Sequence, residues 1–326
     1  MASNKLEIIY GGFFAKYRGH TVETVKRVLQ HLEHKRIAKI DTAAVYAESE
    51  EFLGLAGAAN HFKIDTKFCG GLSELEPTRE LVVKSCHKSL SKLQTNCVDV
   101  FYIHAPYRGV PVERILYGIN DLYKEGKFKR FGLSNFKADE VEEVIRVAKE
   151  NNFVLPTIYQ GNYNAVARRT ETEIMPTLRK NNISFYAYSP IAGGFLTKTP
   201  EQLLAGGEGR WDPSGTYTAK MYNALYNKPV MLKALGSFVD LSKETGISQA
   251  ELAYRWVAYN SLLEPGLGDG IVIGARFGLQ LDQALEALER GPLSEGLATR
   301  IESLWEDIKD DSPLDNFDGF VCNSSK

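Results

Sequence analysis

The sequence predicts an α/β fold, a single (β/α)8 TIM barrel with a long lid loop after its seventh strand. Three observations predict it. Strand-like and helix-like segments alternate along the 326 residues in eight units. Four strand-like runs, IAKIDTAAVY, FKIDTKF, CVDVFYIHAP and KRFGLSN, each lead into polar residues at their ends, where such barrels carry their chemistry. A doubly wound dinucleotide sheet is the competing fold, but the opening IIYGGFF lacks its glycine fingerprint. The nearest look-alike, PGLGDGIVIG, runs into a strand rather than a helix.

The elements follow in order. LEIIYGG (6–12) reads as the first strand. TVETVKRVLQHLEHK (21–35) reads as the first helix, with Val22, Val25, Val28, Leu29 and Leu32 near one face and Thr21 as N-cap. RIAKIDTA (36–43) and SEEFLGLAG (49–57) give the second strand and helix. HFKIDTKF (61–68) is the third strand, and the helix over 77–93 is expected to open on Pro77. Strand 97–105, helix 112–127, strand 127–135 and helix 138–151 continue the alternation. Strand 157–164, a helix over 171–181 and strand 183–190 come next. A helix over 248–259, strand 269–275 and helix 279–289 complete the eighth unit. An amphipathic stretch (294–309) and a polar tail (310–326) follow. The segment 192–230 breaks the rhythm, mixing glycines with Phe195, Trp211, Tyr217, Tyr222 and Tyr226. Glycine hinges with aromatics read as a lid over the rim rather than a disordered surface loop.

Composition narrows the function. A formal net charge of -2 gives no reason to expect nucleic acid or an anionic membrane as partner. No run approaches the roughly 20 apolar residues of a membrane helix, and no apolar leader follows Met1. Cys69, Cys86, Cys97 and Cys322 form no CxxC pair, and the six histidines include no HxxxH, so reduced thiols, a cytoplasmic location and no metal are expected. Any self-association is expected to be a homodimer.

The strand ends deliver Asp41, Tyr46, Lys67 and His104 to one rim, a proton-transfer set. A phenol titrates near pH 10, so it must be polarised to give up a proton quickly at neutral pH. An ammonium from Lys67 beside Tyr46 favours the phenolate. Asp41 can pair with Lys67, and His104 can hydrogen-bond a substrate carbonyl. Phe13, Phe14, Tyr107, Trp211, Tyr217 and Tyr222 can line an apolar pocket.

DTAAVY, DTKF, FYIHAP, GLSN, YQGNYN and YSPIAGG resemble the aldo-keto reductases, most closely the branch of the aflatoxin-aldehyde reductases and their fungal relatives, over about residues 8–290. The resemblance implies a barrel that binds NADPH/NADP+ without a Rossmann fold. It implies Tyr46 as proton donor to a small-molecule carbonyl substrate, Lys67 and Asp41 as its tuning pair, and His104 as the group that positions substrate. It further implies Gly12 and Asp41 near the cofactor, and Ser134, Asn135 and Gln160 on its carboxamide. Tyr188 would stack on the nicotinamide, and Ser189, Pro190, Ile191, Gly193 and Gly194 would wrap the pyrophosphate. Arg210 would lie against the cofactor, and Gly274, Arg276, Gln280 and Gln283 at its adenosine end. There are departures. Gln280 and Ala284 stand where many members carry Arg and Asn. MYNALYN places Tyr222 and Ala224 where the branch often carries arginines that grip acidic substrates. The expected activity is therefore NADPH-dependent reduction of an aromatic or polycyclic aldehyde or ketone to the alcohol. The alternatives are a nucleotide-sensing subunit resembling those of potassium channels, or a biosynthetic oxidoreductase whose product is not a simple alcohol.

Overall fold

The computed structural model describes residues 5–206, 211–212, 215–275 and 278–321. Of the expected site residues, Arg210 and Arg276 lie outside these. Eight strands, β1 (Glu7–Gly11), β2 (Lys39–Asp41), β3 (Lys63–Phe68), β4 (Val98–Ile103), β5 (Phe128–Ser134), β6 (Pro156–Asn162), β7 (Ser184–Tyr188) and β8 (Gly270–Ile273), close into a barrel in chain order. The register is parallel, with Asp41 opposite Asp65, Lys67 opposite Tyr102 and Ser134 opposite Gln160. Among the described residues, no helix is long and apolar enough to cross a membrane.

The chain divides into two compact units. One comprises residues 7–160 and 177–186; the other draws on 1–6, 161–176 and 187–326. The first unit carries α1 (Val22–His34), α2 (Ser49–Leu55), α3 (Arg79–Leu93), α4 (Glu113–Lys124) and α5 (Ala138–Glu150). Strands β1 to β4 each carry Ile, Val or Thr, while β5 relies on Phe128, Phe131 and Leu133; α1 buries one apolar stripe, Val25, Val28, Leu29 and Leu32. Thr21 caps α1, accepting from the Thr24 amide at 3.2 Å. The helix over 79–93 is capped by Thr78, which accepts from the Leu81 amide, so Pro77 stands outside the helix rather than opening it.

The floor of this unit's interior is charged. Lys39 donates to Glu7 Oε2 at 2.9 Å and to the Tyr186 hydroxyl at 3.1 Å, and lies 3.1 Å from Asp99. Arg130 pairs with the same Asp99 at 2.5 Å, and the Tyr186 hydroxyl donates to Glu7 at 2.6 Å. Burial pushes Asp99 up, but Lys39 and Arg130 beside it hold its carboxyl below the usual range.

In the second unit the expected helix over 171–181 is two short pieces, α6 (Thr170–Glu173) and α7 (Met175–Lys180), the second lying partly in the first unit. The segment 192–230 is not all loop. It holds 3-10 turns over Ala192–Thr197, α8 (Pro200–Leu204) and α9 (Tyr217–Tyr226). Residues 229–245, assigned no element above, form α10 (Pro229–Thr245), opened by Pro229 and closed by left-handed Gly246. α11 (Gln249–Arg255), α12 (Leu279–Glu289) and α13 (Glu295–Ile308) follow, and Phe317–Val321 add one π-helical turn to the tail.

Candidate active site

Tyr46 sits in the loop between β2 and α2, and that loop is tied down from three sides. The Thr42 and Ala44 amides donate to the Asp65 and Lys67 carbonyls at 2.8 and 3.2 Å, extending the sheet pairing beyond the strand. Ala47 takes a left-handed φ of 44°, and the Ser49 amide closes on the Tyr46 carbonyl at 2.8 Å. Ser49 then clamps the loop after β1: its Oγ accepts from the Phe14 amide at 2.6 Å and donates to the Phe14 carbonyl at 2.9 Å. Phe14 is thereby buried below this loop rather than lining its mouth.

Beneath Tyr46 lies the Lys67 ammonium. It is fully buried and donates to both Asp41 oxygens at 2.6 Å and to the Thr42 carbonyl at 2.8 Å. All three hydrogen-bond positions of the ammonium are thus filled. Lys67 Nζ is 5.3 Å from the centre of the Tyr46 ring. Gln160 Nε2 donates to Asp41 Oδ1 at 2.9 Å, so this amide also steadies the ion pair, a contact that 119 residues of separation hide from the sequence.

His104 packs its ring edge-on against Tyr46, centroids 5.6 Å apart. It is buried, and its Nδ1 has no hydrogen-bond partner. Burial, with the Lys67 charge adding to it, holds the imidazole well below its ordinary range, so it is neutral near pH 7. Asn135, in a left-handed conformation, donates from its amide to the His104 carbonyl at 2.8 Å and to Ser134 Oγ at 3.2 Å. Gly12 donates to the Asp41 carbonyl at 2.8 Å, and a Cβ there would meet Ile40 Cγ2 at 2.8 Å, so the close approach of β1 to β2 requires glycine. The Phe13 ring centre lies 5.3 Å from that of Tyr46, with the Arg18 guanidinium carbon 4.5 Å from the Phe13 ring centre and the Tyr17 ring at 6.5 Å. Tyr17 and Arg18 were not singled out in the sequence. Their signal was position, in the loop after the first strand. Tyr107 is half-buried with Gly109 against its ring.

In the second unit, the residues after β7 form a left-handed turn. Ser189, Ala192, Gly193 and Gly194 all have positive φ. Gly193 has a second requirement, since a Cβ there would come within 2.2 Å of the Tyr222 ring. Pro190 and Ile191 lie within this turn, and the Tyr222 hydroxyl meets Ser189 Oγ at 2.9 Å. Trp211 and Tyr222 are 2% and 5% exposed. They pack with Phe195 and Tyr226 at centroid separations of 5.5–6.1 Å, forming a small aromatic core under the turn. Tyr217 is exposed against Phe320. The tail reaches Tyr188, whose hydroxyl accepts from the Asn316 amide at 3.2 Å. Gly274, Gln280 and Gln283 are exposed.

Within each unit, these groups suit part of a nicotinamide dinucleotide. Left-handed turns of this kind point backbone N–H groups at an anion. The Trp211 Nε1–H is buried with no partner, 3.4 Å from where a Gly194 Cβ would stand, an unspent donor beside that turn. Ser134, Asn135 and Gln160 offer both donors and acceptors to a carboxamide. The unpartnered His104 nitrogen beside the Tyr46 ring suits a carbonyl oxygen.

The neutral imidazole gives a signed pH effect. An unfolded chain protonates this histidine below about pH 6.5, whereas the folded site refuses the proton. The stability it contributes is present above that pH and is lost as pH falls through it. Urea denaturation of the native protein and His104→Gln at about pH 7 and pH 5.5 measures this. The native protein is expected to lose up to about 1.4 kcal/mol per pH unit more than the variant.

Comparison with known proteins identifies the family. Residues 7–306 match the model of the "Aldo/keto reductase family". The chain is 43% identical over 295 residues to the oxidoreductase sirO of Leptosphaeria maculans, covering 90% of this chain and 89% of that protein. It is 36% identical to human aldo-keto reductase family 7 member A3, covering 84% of this chain and 86% of the relative. It is 35% identical to human aflatoxin B1 aldehyde reductase member 2, with 84% and 80% covered. A closed eight-stranded barrel, a family match across nearly its whole length and relatives aligned over 84–90% of it together mean that the chain belongs to the aldo/keto reductase family and is an oxidoreductase.

Proposed function

We propose that the protein reduces an aldehyde or ketone to the alcohol with NADPH, using Tyr46 as proton donor. The observation that carries this reading is the stack of Asp41, Lys67, Tyr46 and His104, in which a buried, fully bonded ammonium lies 5.3 Å from the phenol ring and an unpartnered imidazole nitrogen lies beside it. When bound, the reduced nicotinamide supplies a hydride to the carbonyl carbon. His104, neutral, holds the carbonyl oxygen by a hydrogen bond. As the C=O double bond becomes single, Tyr46 Oη passes its proton to that oxygen. Lys67 then stabilises the phenolate by its charge, and Asp41 and Gln160 keep the ammonium in place. Ser134, Asn135 and Gln160 hold the carboxamide, and the turn at 189–194 takes the diphosphate.

Tyr46→Phe keeps the ring and removes the hydroxyl. Steady-state assays are expected to show turnover at least about 100-fold lower, the usual effect of losing a general acid, with NADPH affinity nearly unchanged. Turnover at the native rate would refute the role.

Arg276 selects NADPH over NADH, on this reading, by charge-assisted bonds to the 2′-phosphate. Such contacts are worth roughly 1.5–3 kcal/mol. Arg276→Ala is therefore expected to weaken NADPH binding about 10–100-fold and leave NADH binding unchanged, as fluorescence titration would show. A native preference for NADH would be decisive against it.

The substrate is an uncharged aromatic carbonyl. Phe13 and Tyr17 form an aromatic wall beside Tyr46, the proton donor, which rewards ring burial and stacking. Trp211 and Tyr222 serve by supporting the 189–194 turn, and MYNALYN supplies no arginine to a substrate carboxylate. The value of kcat/KM is expected to be higher for an aromatic aldehyde than for succinic semialdehyde. The reverse order would reject this choice of substrate.

A further inference from the structure

The proton-transfer stack leaves one buried carboxyl without a task. Asp65 precedes Lys67 by two residues on β3, so the two side chains share one face of the strand, and its register partner on β2 is Asp41. It is 0% exposed, and neither carboxylate oxygen has a hydrogen-bond partner. The charged and titratable groups around it come from every neighbouring strand. They are Glu7 on β1, Lys39 and Asp41 on β2, Lys67 on β3, Asp99 and Tyr102 on β4, Arg130 on β5 and Tyr186 on β7.

Counting the charges shows why Asp65 is different. Three cations, Lys39, Lys67 and Arg130, are matched by three bonded carboxylates, Glu7, Asp41 and Asp99. Asp65 is a fourth carboxyl with no cation left to pair with. An ionised, unbonded carboxylate in such a place is costly, and the usual outcome is that it stays protonated.

We propose that Asp65 is a positioning residue for the reduction: it is a neutral carboxylic acid while the enzyme works, and its ionisation closes the alkaline side of the activity range. The inference rests on the reductase reading given above. Burial pushes the Asp65 carboxyl up to about 8; Lys39 opposes this, while Asp41 and Asp99 add to it. Tyr102, whose hydroxyl is buried with no partner, is pushed well above the ordinary phenol range by burial and by Asp65, so it does not take over the titration.

The chemical step is small. The O–H bond of Asp65 breaks, the proton passes to bulk water, and a net negative charge remains inside the barrel. That charge stands beside Asp41, on the strand face that carries Lys67, and offsets the positive charge of the ammonium that serves Asp41, the Thr42 carbonyl and the Tyr46 ring. The phenolate that Tyr46 must become is then less well supported, and proton donation slows.

The test is the pH dependence of kcat for NADPH-driven reduction of 4-nitrobenzaldehyde, measured on the native protein and Asp65→Asn. Asparagine keeps the shape and stays neutral. Native turnover is expected to fall about tenfold between pH 7 and pH 9, as a group titrating near 8 requires. Asp65→Asn should keep its neutral-pH rate within about threefold and lose that alkaline limb. A limb at the same pH in both proteins overturns the proposal, because a merely structural Asp65 would not move it. If the variant fails to fold, 13C NMR of labelled aspartate carboxyls in the native protein decides. One buried carboxyl titrating near pH 8 supports the assignment, and no aspartate carboxyl titrating above about pH 7 overturns it. Absence of NADPH-driven turnover at every pH would refute the reductase reading instead, and the NMR titration, which needs no turnover, would still decide the state of Asp65.

Discussion

The architecture around the site turns on a single buried ion pair, Lys67 with Asp41. An ammonium taken out of water costs several kcal/mol unless its partner and its remaining hydrogen bonds are well placed. Here both carboxylate oxygens lie at 2.6 Å and the Thr42 carbonyl takes the third bond. These distances hold only if the ends of β2 and β3 are in register. The same register lets Thr42 and Ala44 continue the pairing into the loop that carries Tyr46. The geometry of the phenol is thus inherited from the ion pair below it, and Gln160 extends that dependence to β6.

The loop carrying Tyr46 is also held from outside the strand pair. Ser49 exchanges two hydrogen bonds with the Phe14 backbone, and Glu48 accepts from the Lys16 amide at 3.1 Å. The loop after β1 therefore shapes the surroundings of Tyr46, although it contributes no titrating group to the stack. Variation there acts on the surroundings of the Tyr46 ring at Phe13 and Tyr17 while leaving the charge arrangement intact.

Much of this was legible in the sequence, for a physical reason. Strand side chains alternate with period two, so KIDTKF states that Asp65 and Lys67 share a face, and the short apolar runs ending in Asp41, Lys67 and His104 mark one rim. Thr21 as a cap follows from local chemistry alone, whereas the helix expected to open on Pro77 starts after a Thr78 cap. α10 was signalled by Pro229 and Gly246 but was overshadowed by the glycine-rich stretch before it. What the sequence does not carry is long-range bonding. Nothing in YQGN announces a bond to Asp41, and the same aromatic residues serve equally as a pocket lining or, as Phe195, Trp211, Tyr222 and Tyr226 are found, as a core beneath a turn.

The charged floor bears on how the chain reaches this state. Glu7, Lys39, Asp99, Arg130 and Tyr186 come from β1, β2, β4, β5 and β7, and their bonds satisfy one another only as a set. A partly assembled sheet would have to bury some of these charges uncompensated or leave them in water, either of which forfeits the gain from closing that part of the core. The network thus penalises half-built intermediates and couples the five strands into one cooperative transition. An enzyme with polar groups at both levels of its barrel acquires all-or-none assembly from the same electrostatics that support its chemistry.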